Sequence, residues 1–586
     1  MKKTIFILAL FLTTLSFSQK ISTVDKHFYF YKVWNFTKYY HPALAKGTVN
    51  ADTLFFSNLP LLDKVESNEE FDLFIQNYLK KLPKTVAISN TKPVSGKLLT
   101  TNKEQKWFKS GKIFSSSIKS ELAEIFDNRY RDSIHYYIPN VHYFADIPNE
   151  GEYKIEKEKN VPYALRMLTL AKFQGAVDYL FPHKYLMDAN FDGVLKKNIP
   201  LFANCESRLE YEKMLLKIVS TFNDTHSYKF VNQLLYKREI FKRNSFPPFA
   251  YSVFDDKIIV TDLIVTEDCA KAAIKIGDII TAVNGESVKD LVNRLSGMLS
   301  VSNRTTLLFR LSDYYSNLIF QSVDGDFQLQ FDGKKKNTVK NIAFISAKSP
   351  EKIALVSDYV NASFPNERSD FKLDLINDEI AYFKIDEMRR FIGNGGDAAI
   401  DQRLDSILNL AASKKGIVFD MRGYPDWGGF VHTYTLKKFG KIPNRYADYY
   451  EINKNEIGTY IRIERPENYY HPTLKTESKN YQGKVVIIIN PATLSMSEWN
   501  TMNLQHVFKN STTIGEQSAG ADGDEKMMRL PGGYQFNFTG NAIFYPNGKE
   551  AQRTGVRIDK KMPLTPKNVL QKDYLLEEAI KIINQK

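Results

Sequence analysis

The sequence predicts a multidomain α/β protein with duplicated helical modules at the N-terminal end, a β-rich domain in the middle and an α/β domain to the end of the chain. Three observations carry this reading. The chain has 586 residues, 43% hydrophobic and 13% aromatic, enough for three or four cores. From Asp378 onward strand-like and helix-like runs alternate: Glu379 to Ile385, a helix near Ala398 to Ala412, Gly416 to Asp420, a helix from Phe430, then Val485 to Ile489 and a further helix. The run Val485 to Ile489 is apolar at every position, as in a strand covered on both faces.

In chain order, residues 1–18 have Lys2-Lys3, an apolar run from Ile5 to Leu15, then Ser16 and Ser18. That is the pattern of a secretory signal peptide, too short for a membrane span, with the mature chain beginning near Gln19. Export to the periplasm or the extracellular space is expected, and no other segment is long and apolar enough to span a bilayer. Cys205 and Cys269 form no disulfide framework, and no Cys/His cluster calls for zinc, so no cofactor is expected. The net charge of +13 is spread over 80 basic and 67 acidic residues without a long basic run. It reads as a solvated surface, and no motif points to nucleic acid.

Residues 19–150 and 151–245 read as two helical modules related by an internal repeat. One gapless shift pairs Tyr39 with Tyr179, Pro42 with Pro182, Asn50 with Asn190, Pro60 with Pro200, Ser67 with Ser207 and Glu70 with Glu210. The second copy runs on into Asn223-Asp224-Thr225-His226, where the first has Pro83-Lys84-Thr85-Val86. Only the second can offer a histidine there. The first copy is expected to be structural or partner-binding, its aromatic residues Tyr31, Trp34, Tyr39 and Tyr40 packed on the second. Residues 246–335 form the β-rich domain, with strands Asp256 to Thr261 and Ala273 to Gly285 around a short helix and Asn284-Gly285 as a hairpin turn. Residues 336–586 form the α/β domain.

The chemistry-bearing stretch is Gly483 to Gly520. A buried strand is broken by Asn490-Pro491 before helix-compatible Met496 to Lys509, which sets Ser495 at a helix N-terminus. There the Met496 N–H and the helix dipole favour negative charge, as an oxyanion needs; a plain cap is the alternative role for Ser495. A serine nucleophile needs a base, and the chain has nine histidines. His506 lies on the same helix, roughly 16 Å along the axis from Ser495. His27, His41, His135, His142 and His183 sit among aromatic residues, His432 follows a glycine pair, and His471 lies in a Tyr/Pro loop. His226 differs, because polar neighbours on both sides can fix an imidazole tautomer.

These residues carry a resemblance. Thr493-Leu494-Ser495-Met496-Ser497-Glu498 with Gly515-Glu516 resembles the S-x-S-E and G-E blocks of the tail-specific, or carboxyl-terminal processing, serine peptidases and the related tricorn core protease. Asp224-Thr225-His226-Ser227 resembles their D-x-H-S/T block, Asp420-Met421-Arg422-Gly423-Tyr424-Pro425 their D-x-R-x-x-P block, and Gly555-Val556-Arg557-Ile558-Asp559 their G-V-x-P-D block. The turn after Gly515-Glu516 has no lysine until Lys526, unlike the processing branch, so the tricorn-like branch is implied. The resemblance implies a ClpP/crotonase-like catalytic core, Ser495 as nucleophile, His226 as base and Thr225 as its supporting hydroxyl, with Met496 and Gly423 as oxyanion donors. The family's glutamate falls at Gln552, which can orient but carries no charge, with Glu550 as the nearby substitute; Gln552→Glu is expected to raise activity. Ala273 to Gly285 is similar to the signature of PDZ domains, which bind peptide ends by strand addition. The implied function is a secreted or periplasmic serine endopeptidase acting on unfolded or tail-exposed polypeptides. The alternative is a catalytically impaired homologue that binds peptides or envelope components. Nothing in the sequence fixes an oligomeric state.

Overall fold

The computed structural model describes residues 20–86, 96–140, 144–242, 245–320, 326–333, 337–346, 348–362, 370–442, 444–463, 476–478 and 480–585. The expected signal peptide and the start near Gln19 lie outside the described residues, as do His142 and His471. The chain divides into two compact units, one of residues 1–91 and 104–130, the other of residues 92–103 and 131–586.

The first unit is built on helices Thr23–Tyr40 (α1), Ala51–Asp63 (α2) and Asn68–Leu79 (α3). Asn50 caps α2 and Ser67 caps α3 in a capping box with Glu70. The α1 aromatic residues are buried. Trp34 meets Phe55 at 5.4 Å between centroids and Tyr40 meets Phe126 at 5.2 Å.

The second unit begins with the same helical set: Tyr163–Gly175 (α4), continued as a π-helix over Ala176–Leu180, then Phe191–Ala203 (α5) and Arg208–Ser220 (α6). The repeat shift maps α2 onto α5 residue for residue, and Asn190 and Ser207 cap α5 and α6 as Asn50 and Ser67 cap α2 and α3. Lys26 donates to the Asp63 carbonyl at 2.9 Å, and Arg166, its counterpart, to the Ala203 carbonyl at 2.8 Å.

The β-rich region is an antiparallel sheet of Phe249–Val253 (β1), Ile258–Leu263 (β2), Ile279–Val283 (β3), Asp326–Phe331 (β4) and Thr338–Ala343 (β5), in that spatial order. Asn284 and Gly285, at φ 50° and 81°, make the expected hairpin turn. On edge strand β1 the Val253 N–H is taken by Ser312 Oγ at 2.8 Å, so that end of the edge is closed by the chain itself.

The last part is a six-stranded sheet in the order Asp374–Ile376 (β6), Ile380–Lys384 (β7), Gly416–Asp420 (β8), Lys484–Ile489 (β9), Thr512–Gly515 (β10) and Lys560–Lys561 (β13), parallel except for β6. Its faces alternate as period two requires. Ile417, Phe419, Val485, Ile487 and Ile489 pack with helix Asp397–Ala412 (α7) and helix Met496–Val507 (α8); Val418, Val486 and Ile488 pack with helix Tyr574–Asn584 (α9). Burial on both faces explains the unbroken apolar run in β9. Strands Glu525–Leu530 (β11) and Tyr534–Thr539 (β12) form a hairpin. The hairpin lies on the Thr225–Gln233 segment that follows α6: Ser227 Oγ donates to the Asn537 carbonyl at 2.7 Å, and Phe222 and Phe536 centroids are 4.6 Å apart.

Candidate active site

The β9-to-α8 turn is fixed from below. Thr493 Oγ1 and Ser497 Oγ donate to the Met421 carbonyl at 2.8 and 3.0 Å, tying the turn to the end of β8. Ser495 caps α8 with φ 55° and ψ −116°, a conformation that is costly without glycine and is held only because its surroundings over-determine it. Glu498, fully buried, supplies part of that constraint. Its Oε2 accepts the Ser495 N–H at 3.2 Å and the Ala521 N–H at 3.0 Å, and its Oε1 accepts Ser518 Oγ at 2.6 Å and the Gly520 N–H at 2.9 Å. Burial outweighs these donors and pushes its carboxyl up to about 7.

The second half of the site is a buried polar chain. Asp224 caps the Thr225–Gln233 segment, its Oδ1 accepting the His226 N–H at 3.1 Å and Thr539 Oγ1–H at 2.9 Å, and its Oδ2 accepting the Thr539 N–H at 2.5 Å. Thr539 Oγ1 is 2.7 Å from His226 Nδ1. Its one proton is directed to the Asp224 carboxylate, so Oγ1 accepts from Nδ1, and the proton of a neutral imidazole sits on Nδ1. Nε2 is then the basic nitrogen. It is buried without a hydrogen-bond partner, 3.9 Å from Glu525 Oε1.

The two halves meet around Glu525 and Tyr424. Burial raises the Glu525 carboxyl, but His226, Lys229 and Asn537 together bring it below the usual carboxylate range. Tyr424 is 58% exposed as a residue, yet its phenol is pushed up, first by burial of the hydroxyl end and then by Glu525; a hydrogen bond with Ser495 acts the other way. A strained serine at a helix N-terminus and an oriented imidazole with a free Nε2 are the parts of a nucleophile and its base.

Four of the expected assignments need correction. Thr225 does not support the imidazole: its Oγ1 lies 3.0 Å from both Ser302 Oγ and the Ala519 carbonyl, and the hydroxyl at His226 Nδ1 belongs to Thr539. Glu550 is engaged elsewhere, accepting from Tyr185 and lying 2.9 Å from His183 Nδ1. Gln552 is buried but reaches Asp224 Oδ1 through its Nε2 at 3.5 Å, one step behind the histidine. Gly423 donates its N–H to the Met421 carbonyl at 2.9 Å, so it has no donor left for an oxyanion. The Met496 N–H, at the first position of α8, has no intrahelical partner, as at any helix start. Sequence reasoning overlooked Thr539, Glu525 and Tyr424. Thr539 and Glu525 end the paired strands of one hairpin, and nothing in the local pattern marks a threonine there as a partner for a histidine hundreds of residues earlier.

Residues 379–562 match the model of peptidase family S41, a family of serine peptidases. The matched segment holds Ser495, Glu525, Thr539 and Gln552; His226 lies before it. The fold comparison gives mature CPAF complexed with lactacystin (11% identity, 72% of this chain and 97% of that one, TM-score 0.49). It also gives a photosystem II D1 C-terminal processing protease (14%, 72% and 97%, TM-score 0.35) and a tricorn protease (13%, 72% and 37%, TM-score 0.30). At such identities and TM-scores these likenesses say nothing about chemistry. No curated protein matches the chain.

Proposed function

We propose that this chain is a serine endopeptidase of the tricorn-like type, exported by its N-terminal leader and acting on unfolded or tail-exposed polypeptides. The observation that carries the reading is the buried chain Asp224–Thr539–His226, which leaves Nε2 as the free basic nitrogen while Ser495 stands at a strained helix start. In the proposed reaction the Ser495 Oγ–H proton passes to His226 Nε2 as Oγ bonds to the peptide carbonyl carbon. The Met496 N–H, with the Tyr424 N–H in place of Gly423, receives the oxyanion. His226 then returns the proton to the leaving amine, and water repeats the sequence on the acyl-enzyme. Asp224 holds the imidazole through Thr539, so an uncharged Gln552 is no obstacle to this chemistry. Lys526 has no part in it.

The test is fluorophosphonate labelling of the full-length protein. Wild type labels, Ser495→Ala does not, His226→Ala labels far more slowly, and Lys526→Ala labels as wild type does. Labelling that survives Ser495→Ala, or that Lys526→Ala abolishes, would overturn the assignment.

A further inference from the structure

We infer that Arg553 is a positioning residue that sets the placement of Ser495 against His226; the inference rests on the serine-peptidase reading above. Arg553 sits next to Gln552 with φ 62°, the left-handed region that a residue with a Cβ occupies at a cost. Its two halves hold the two halves of the site.

The backbone half faces the nucleophile. The Arg553 N–H donates to the Gly520 carbonyl at 2.7 Å, and its own carbonyl accepts Gln517 Nε2 at 3.0 Å. The approach is tight: a Cβ on Gly520, itself at φ 67°, would fall 2.8 Å from the Arg553 carbonyl carbon. Gly520 in turn gives its N–H to Glu498 Oε1, and Glu498 Oε2 takes the N–H of Ser495.

The side-chain half faces the base. Arg553 Nε donates to the Ser302 carbonyl at 2.9 Å, and its terminal nitrogens reach the Leu186 carbonyl at 2.5 Å and the Asp188 carboxylate at 2.6 and 3.0 Å. Ser302 is fastened to the residue before His226: its N–H donates to Thr225 Oγ1 and its Oγ accepts the Thr225 N–H, both at 3.0 Å. An unbroken series of hydrogen bonds therefore runs from Ser495 through Glu498, Gly520, Arg553 and Ser302 to Thr225, which is bonded covalently to His226. Arg553 is where two chain segments far apart in sequence are fixed to one another. Only a planar fork serves the Ser302 carbonyl, the Leu186 carbonyl and Asp188 together, which an ammonium group does not. The Asp188 pair is the outer and weaker contact, since that carboxylate is 68% exposed.

The experiment measures kcat and KM on one denatured protein substrate, the fluorophosphonate labelling rate and the thermal midpoint for wild type, Ser495→Ala, Arg553→Gly, Arg553→Lys and Asp188→Asn. Arg553→Gly keeps the backbone bond and the left-handed conformation and removes the guanidinium. It should lower kcat and the labelling rate on the order of 10- to 100-fold, as misplacement of reacting groups does, with KM within about threefold of wild type. Arg553→Lys should fall between the two, and Asp188→Asn should stay within about threefold of wild type because the carbonyl contacts remain. Wild-type kcat in Arg553→Gly, measured well below its thermal midpoint, overturns the inference, as does a loss confined to KM. If Arg553→Gly fails to fold, wild-type kcat in Arg553→Lys overturns it. A wild type that labels no better than Ser495→Ala overturns both this inference and the peptidase reading, whereas normal labelling of wild type and Arg553→Gly alike sinks only the inference.

Discussion

The two helical copies have matching helices and matching caps, and they differ in what closes over them. In the second, the α4–α6 face receives strand β12, with Phe173 and Phe222 against Phe536 and Tyr211 against Tyr534, and the chain emerges from α6 straight into Asp224 and His226 beneath that strand. In the first, the corresponding place is taken by the unit's own insert: Phe71, the counterpart of Tyr211, stacks on Phe114, Phe36 meets Phe108, and Tyr40 meets Phe126. One scaffold makes a histidine module where a strand from the sheet domain covers it, and in the first copy the same scaffold is packed by helices of its own unit. The histidine is poised by the strand over it, through Thr539, and the helices bring it there.

That contrast can be broken at several points, and the largest effect belongs to the residue only the second copy has. His226→Ala should lower kcat by on the order of a thousandfold or more, and adding Val86→His, the first copy's equivalent position, should restore none of it. Rescue by the second substitution, read as kcat on a denatured protein, would end the claim that the copies are not interchangeable.

Phe114→Ala probes the other closure. Phe114 is buried on Phe71 and Trp107, so its loss should destabilise the first unit by about 3 kcal/mol, seen in denaturant unfolding, while kcat is retained. A variant with normal stability and lost activity would contradict this division of labour.

Burial of Glu498 makes the nucleophile turn sensitive to pH. Its carboxyl, pushed up to about 7, binds a proton more readily folded than unfolded, so this contribution is full below the ordinary carboxylate range and fades as pH rises through about 7. Unfolding stability should drop by about 2 kcal/mol from pH 5 to pH 8 on this account, and Glu498→Gln should flatten that slope. An equal slope in the variant would assign the pH dependence to other groups.

Smaller effects separate Asp224, which stands behind His226 through Thr539, from Glu550, which does not. Thr539→Val removes the hydroxyl between Asp224 and His226 and should lower kcat on the order of tenfold or more, the imidazole losing its tautomer control. Gln552→Glu should lower kcat/KM instead of raising it, because a carboxylate would replace the amide that donates to buried Asp224. Glu550→Gln should change kcat/KM by less than about twofold, since its carboxylate serves His183; a large loss would return it to the site.

Local pattern was enough for what short-range physics dictates. The alternation after Asp378, the apolar β9 and the Asn490-Pro491 break marked an α/β domain with a serine turn after a buried strand, because burial on both faces and proline's missing N–H act over a few residues. The repeat was legible because caps and intrahelical prolines recur at one spacing, and the Asn284-Gly285 turn because two positive φ angles select those residues. The polar positions around His226 depended on long-range folding. Gly423 is a plausible oxyanion donor in sequence, and only the turn reveals that its N–H already serves Met421. Thr225 and Glu550 lie where a motif would place them, but hydrogen bonds are satisfied by whichever group the fold brings within 3 Å, and those groups proved to be Ser302 and His183. Thr539, at the end of the β11–β12 hairpin, and Arg553, beyond it, acquire their meaning from contacts hundreds of residues away in sequence, to His226 and to Ser302 and Leu186. Strand and helix are encoded by nearest neighbours, whereas a proton path is encoded by which buried donors and acceptors are left to pair once the domains have packed.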